Sequence, residues 1–208
     1  MPLVCLIDLC LSTREALCAR VHEKLEQHRA VLLRSPPMSG KTSLGALFAA
    51  WCRAKSHQVV LLSLLPVNTS TLVAAENEFQ REWQRATGGA GDRIDILGQL
   101  DKLQQPCVYI VDEAQRAYDL ADFMLWRLVK GIQQRGYTNV RLFCLSGYTP
   151  ALLAGGASTP VAFTPEAILQ LDDLRLRGEE RNELYQRFGE QLDVARCIGV
   201  LPQCALLC

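Results

Sequence analysis

The sequence has no uninterrupted apolar stretch of the ~18 residues that a membrane-spanning helix needs. The apolar N-terminus, MPLVCLIDLCL, is short, carries Asp8 and has no basic segment before it, so no signal peptide is evident. Neither sign of charge is in excess: 22 Lys+Arg against 22 Asp+Glu give a formal net charge of +0. Bulk charge therefore builds no polyanion-binding surface, and nucleic acid is not indicated as a partner. Nine cysteines occur without a CxxC pair, and the three histidines, His22, His28 and His57, have no Cys or His partner at ligand spacing. Zinc binding thus lacks sequence support. The odd cysteine count, with Cys107 and Cys144 inside apolar runs, reads as reduced, partly buried thiols of an intracellular protein of cytoplasm or nucleus. A secreted effector is the other reading of location.

What is present is an ordinary globular balance, 49% hydrophobic and 21% charged over 208 residues, enough for one α/β domain with a sizeable core. Helical spacing of Ala16, Leu17, Val21 and Leu25 predicts a helix over 13–28 with Thr13 as its cap. Short apolar runs at 30–35, 57–65, 106–111 and 140–147 read as strands, and AILQL (167–171) as a candidate fifth. Between them lie helical segments at 41–54, 68–88, 92–105 (interrupted by Gly98) and 119–134, with a further polar helix at 178–192. The 148–165 stretch reads as a loop. Strands so apolar are buried on both faces, which predicts a parallel sheet in a three-layer α/β sandwich.

Between the first strand and the next helix stands Ser35-Pro36-Pro37-Met38-Ser39-Gly40-Lys41-Thr42-Ser43. A triphosphate needs inward-facing backbone N–H groups, which a loop followed by a helix N-terminus supplies. Gly40 lets the backbone approach phosphate oxygens, Lys41 offers a compact positive charge to the β- and γ-phosphates, and Thr42 offers a hydroxyl to Mg²⁺. The match to GxxxxGK[ST] is incomplete, because Ser35 holds the first glycine position. A serine there is expected to pay for a turn geometry that glycine adopts more cheaply.

A second feature complements the first. VYIVDEAQ is an apolar strand ending in Asp112 and Glu113, and open α/β sheets bind ligands outside the carboxyl ends of their strands. Asp112 is placed to hold Mg²⁺, and Glu113 to orient or deprotonate an attacking water. The fourth strand ends in Ser146-Gly147-Tyr148. Ser146 is a candidate sensor of the γ-phosphate, or an ordinary strand-terminating serine. Gln115 is a candidate for positioning water. Arg34 reads as a solvated strand-end charge rather than a phosphate contact, and Arg116 as a surface residue rather than an arginine finger toward a neighbouring subunit. Trp51, Trp83 and Trp126 read as packing residues. The Arg175–Arg181 stretch reads as a solvated helix start.

At these residues the chain resembles the additional-strand P-loop NTPases, which include the AAA+ and STAND ATPases. SPPMSGKT is similar to the GPPGTGKT of AAA+ proteins, departing at Ser35, Met38 and Ser39, and the adjacent Asp112-Glu113 fits the same class. A closer resemblance is to the NTPase domain of Crinkler-type effectors, carried by RSPPMSGKTSL, by IVDEAQ with the following Tyr118, by FMLWRLVK, by LSGY and by LRLRGEERNELYQRF; it covers about 15–190. The resemblance implies a five-stranded parallel sheet of order 5-1-4-3-2, ATP as the nucleotide with Mg²⁺, and hydrolysis with Glu113 activating water. It implies 13–193 as the NTPase core, preceded by an extension (1–12) and followed by a tail (194–208) where the family's lid module begins. The family's header, lid and effector modules find no counterpart, so a nucleotide-binding switch without significant hydrolysis, or a truncated fragment, is the alternative. A homo-oligomer or a protein partner is compatible with the class, and a membrane partner is not expected.

Overall fold

The computed structural model describes residues 14–89, 95–134, 136–148 and 161–175, together with Gly178, Glu180, Arg181, Asn182, Tyr185 and Gln186. Leu17–Leu174 make up one compact unit, which holds the whole sheet, and the described residues outside it belong to another. The expected Thr13 cap, the 1–12 extension, the 194–208 tail and most of the 148–165 loop and of the 178–192 helix lie outside the described residues.

The elements follow in the order α1 (Glu15–His28), β1 (Ala30–Arg34), α2 (Lys41–Ala54), β2 (Gln58–Ser63), α3 (Leu72–Thr87), α4 (Ile96–Asp101), β3 (Cys107–Asp112), α5 (Met124–Gln133), β4 (Val140–Ser146), β5 (Ile168–Leu169) and the single turn α6 (Leu171–Leu174). Two 3-10 turns, Ala114–Ala117 and Pro165–Ala167, follow β3 and precede β5. All strand pairs are parallel, and the sheet runs β2-β3-β4-β1-β5. This is the expected order 5-1-4-3-2, with β4 inserted between β1 and β3.

Residue alternation divides the interior in two. Successive strand side chains point to opposite faces, so Leu32, Tyr109, Val111, Leu142 and Cys144 join one cluster, with Phe79 and Trp83 of α3 and Trp126 and Val129 of α5. Val31, Leu33, Val108, Ile110, Phe143 and Leu145 join the other, with Leu17, Val21 and Leu25 of α1 and Phe48 and Cys52 of α2. Helices therefore cover both faces, which explains why β3 is buried along its whole length. The covered sheet is the three-layer α/β/α sandwich that its apolar runs predicted.

Several boundaries differ from the sequence expectation for local reasons. α3 starts at Leu72 because the Thr71 hydroxyl accepts the Ala74 N–H at 3.2 Å, and it stops where Gly88 turns left-handed at φ 71°. Gly98 does not interrupt a long helix. It sits inside the short α4, with its N–H bonded to the Asp95 carboxylate at 3.0 Å. α5 begins only at Met124, because the residues after β3 wind into the 3-10 turn. The fifth strand is two residues long rather than five. Trp83 and Trp126 are core residues, as expected. Cys18, Cys52, Cys107 and Cys144 are buried and in no disulfide, and burial pushes the thiols of Cys52 and Cys144 up to about 12. The remaining cysteines lie outside the described residues. No helix among the described residues is long and apolar enough to cross a membrane.

Candidate functional site

The parallel register brings the carboxyl ends of β1, β3 and β4 to one edge of the sheet: Arg34 stands opposite Ser146, and Val111 opposite Cys144. The loop 35–40 leaves β1 there and enters α2 through Gly40, whose φ of 87° makes the sharp turn into the helix. Ser35 is fully buried. Its N–H donates to the Ser146 carbonyl at 3.2 Å, and its hydroxyl shares a hydrogen bond with that of Ser39. Ser35 is not among the positive-φ residues, so the expected backbone cost does not fall on it. It falls on Met38, at φ 60°, with its side chain wholly in solvent. Pro37 and Gly40 are also exposed, while Pro36 and Ser39 are half-buried.

Lys41 is buried against this loop. Its ammonium donates to the carbonyls of Pro36 at 2.7 Å and Ser35 at 3.1 Å. Burial pulls its pKa below the ordinary lysine range, and the negative charges of Glu113 and then Asp112 oppose that. Thr42 and Ser43 follow on the exposed first turn of α2. The Thr42 hydroxyl donates to the Asp112 carboxylate at 2.7 Å, so the two separate sequence features meet. α2 lies close over the sheet because Gly45 has no side chain. A Cβ there would stand 2.6 Å from Leu145 Cδ1 of β4.

Asp112 is the buried last residue of β3. Its second oxygen accepts the N–H of Glu113 at 2.9 Å. Glu113 turns left-handed, φ 60° and ψ 34°, at the head of the 3-10 turn. In such a turn residues three apart eclipse one another, which sets Gln115 and Tyr118 on one side, toward β4. The Gln115 amide donates to Glu113 and accepts the Gly147 N–H at 2.8 Å. The Tyr118 hydroxyl shares a hydrogen bond with the fully buried Ser146 hydroxyl, which also reaches the Gly147 carbonyl at 3.1 Å. Burial is the main cause that raises the Tyr118 phenol above its ordinary pKa, against the pull of Ser146 and Arg34. Arg34 is accordingly half-buried beside Tyr118 and not a solvated strand-end charge. Arg116 is exposed and donates to the Val67 carbonyl at 3.1 Å.

The sequence-predicted residues Lys41, Thr42, Asp112 and Glu113 thus lie together. Ser146 lies at the same edge, with its hydroxyl engaged by Tyr118. Sequence reasoning missed that engagement and the bridge made by Gln115. The spacing of Gln115 and Tyr118 after a strand end was the available signal, legible only once the segment is known to be 3-10. Among the described residues no group of three or more His, Cys, Asp or Glu is arranged to hold a metal. The Thr42 and Asp112 oxygens are hard donors. Mg²⁺ takes one or two such protein oxygens and completes its shell with water and phosphate, so this pair fits it.

No family model matches the sequence, and no curated protein is similar to it. Among solved structures, the chain is similar to a Walker-type ATPase of Pyrococcus abyssi, at 13% identity over 86% of this chain and 58% of that one, with a TM-score of 0.52. The fold is that of a P-loop NTPase. Looser similarities reach PCH-2 of C. elegans, 15% identical with a TM-score of 0.45, and Drosophila ORC bound to DNA, 17% identical with a TM-score of 0.47. This chain spans 50% of the PCH-2 chain and 52% of the ORC chain, about half their length. These likenesses are likenesses of fold.

Proposed function

We propose that the P-loop fold here binds a nucleoside triphosphate, ATP with Mg²⁺, across the carboxyl ends of β1 and β3, and hydrolyses it. One observation carries this reading: the Thr42–Asp112 hydrogen bond, which sets the start of α2 against the end of β3. The first N–H groups of α2 have no intrahelical partner and favour an anion. The Lys41 ammonium, now on loop carbonyls, turns to the phosphates. Thr42 and Asp112 hold Mg²⁺, whose chemistry when bound is to neutralise charge on the phosphate oxygens. Glu113, one residue beyond Asp112, orients water and takes its proton. Adenine as the base follows from the resemblance to AAA+, STAND and Crinkler-type NTPases, as does the reading of 13–193 as one core.

A second reading, a nucleotide-dependent switch with little turnover, draws on the mutual engagement of Lys41, Thr42, Glu113 and Ser146 with neighbouring groups. Calorimetric ATP titration and phosphate release separate the two. Wild type is expected to bind and turn over ATP. Lys41→Ala should lose binding, and Glu113→Gln should bind normally with turnover reduced about 10²–10⁴-fold. Binding without turnover above buffer sinks hydrolysis and leaves the switch. Absence of binding sinks both.

A further inference from the structure

The geometry points to Gln115 as a positioning residue that fixes the Glu113 carboxylate against the end of β4. The inference rests on the reading of Glu113 as the group that prepares water, and it adds how that group is aimed.

The orientation of the Gln115 amide follows from its neighbours. The Gly147 N–H can only donate, so the Gln115 atom facing it is the oxygen, at 2.8 Å. The NH₂ group is thereby turned to the Glu113 carboxylate, which can only accept. Both ends of one amide are satisfied, and neither bond survives a flip. The amide also packs beside Gly147: a Cβ added at that glycine would stand 3.4 Å from Gln115 Cδ, in van der Waals contact.

The bridge joins the acid to the frame of the phosphate loop. Gly147 follows Ser146, whose carbonyl accepts the N–H of Ser35, the first residue of that loop. A continuous path therefore runs from Ser35 through Ser146, Gly147 and Gln115 to Glu113. Without it, the Glu113 carboxylate has the nearby charge of Lys41 but no hydrogen bond among the described residues, on a backbone in a left-handed conformation that a glutamate seldom adopts. A carboxylate on a free side chain samples several rotamers, and a misplacement of about 1 Å can cost on the order of 10²-fold in rate. Gln115 removes that freedom for the oxygen it binds and leaves the other oxygen open for water.

The test compares wild type, Glu113→Gln, Gln115→Met and Gln115→Glu. Steady-state ATP hydrolysis is read as kcat and KM separately, and hydrogen exchange is read at the Gly147 amide. Methionine keeps the length of the side chain and removes both polar ends. Glutamate keeps the acceptor for Gly147 and sets a second carboxylate against Glu113. Both Gln115 variants are expected to lose roughly tenfold to a hundredfold in kcat with KM within about twofold of wild type. Gly147 exchange should speed up in Gln115→Met alone. If Glu113→Gln abolishes turnover but both Gln115 variants keep wild-type kcat, the positioning role is overturned and the proposed function stands. A rise in KM matching the fall in kcat/KM, with kcat unchanged, also overturns it, because that is the signature of a binding role. Unchanged Gly147 exchange in Gln115→Met overturns the bridge itself. Full turnover in Glu113→Gln, or none in wild type, removes the proposed reaction and the positioning role with it.

Discussion

The Thr42 hydroxyl and the Asp112 carboxylate are bonded at 2.7 Å although seventy residues separate them in the chain. The bond spans the gap between the start of α2 and the end of β3, where a magnesium ion and phosphate would lie. Both oxygens are therefore already within reach of one small cation. Thr42→Ala removes one of them, and Thr42→Ser keeps it. The alanine variant is expected to bind Mg²⁺-ATP about tenfold more weakly, a loss of about 1.4 kcal/mol, while the serine variant stays within about threefold of wild type. Calorimetry with and without Mg²⁺ checks this. A Thr42→Ala affinity equal to wild type in Mg²⁺ rules the hydroxyl out as a ligand.

Lys41 gives a pH dependence of definite sign. Burial lowers its pKa in the nucleotide-free protein, and bound phosphates favour the ammonium again. The nucleotide-bound state thus holds more protons than the free state in the alkaline range between the lowered value and the ordinary one. Binding should take up a proton there, and affinity should fall as pH rises through the lowered value, by up to about tenfold per pH unit. Titration in two buffers of different ionisation enthalpy measures the uptake. Lys41→Arg stays charged throughout, so it should show none. Equal proton uptake in Lys41→Arg and wild type would assign the titration to another group.

Met38 and Gly40 occupy the same left-handed region of the phosphate loop, at φ 60° and 87°. Only one of them is suited to it. The Met38 side chain makes up for nothing, being wholly exposed. Met38→Gly exchanges a left-handed strain of about 1–2 kcal/mol for a glycine entropy cost of about 0.5–1 kcal/mol, so a net gain of about 0.5 kcal/mol is expected. Gly40→Ala is the reverse exchange, imposing the strain and recovering the glycine entropy, so it should lose about 0.5–1 kcal/mol, although nothing stands within 4 Å of the added methyl. Urea denaturation of both variants is the measurement. A loss of stability in Met38→Gly, in place of the gain, contradicts the strain argument.

How much of this was legible in the sequence depends on how local each cause is. The runs around Val31–Leu33, Cys107–Asp112 and Val140–Ser146 could be read as buried parallel strands because both of their faces are covered. Lys41, Thr42, Asp112 and Glu113 could be placed together because strand ends in such a sheet share an edge. The strain at Met38 rather than Ser35 could not be read, since it depends on the Ser35–Ser146 bond that straightens the loop's first residue. The late start of α5 was hidden for a similar reason. The segment 119–134 reads as one helix, yet just before it the Tyr118 hydroxyl is bonded to Ser146 of β4 and the Ala117 carbonyl to the Trp126 indole, contacts that no local pattern announces. The Gln115–Gly147 bond joins residues thirty-two apart, and no local pattern announces it.

Trp126 ties the hydrophobic core to that turn. Its indole N–H, fully buried, donates to the Ala117 carbonyl at 2.7 Å, at the end of the 3-10 turn that carries Gln115 and leads to Tyr118. Trp126→Phe removes one of the two donors of that carbonyl, which keeps the Leu120 N–H at 3.1 Å, at about 1 kcal/mol, and opens a small cavity. A total loss of about 2 kcal/mol is expected. Trp51 provides the control. It packs against Phe48 and His22, but its buried indole nitrogen has no acceptor among the described residues. Phenylalanine there removes an unsatisfied donor along with some contact area, and the two effects offset one another. Trp51→Phe should therefore cost about 1 kcal/mol or less. Denaturant midpoints at unchanged m-value give both numbers. Equal losses at the two tryptophans would show that ring volume alone decides, and that the Ala117 hydrogen bond adds no stability to the turn beneath the candidate site.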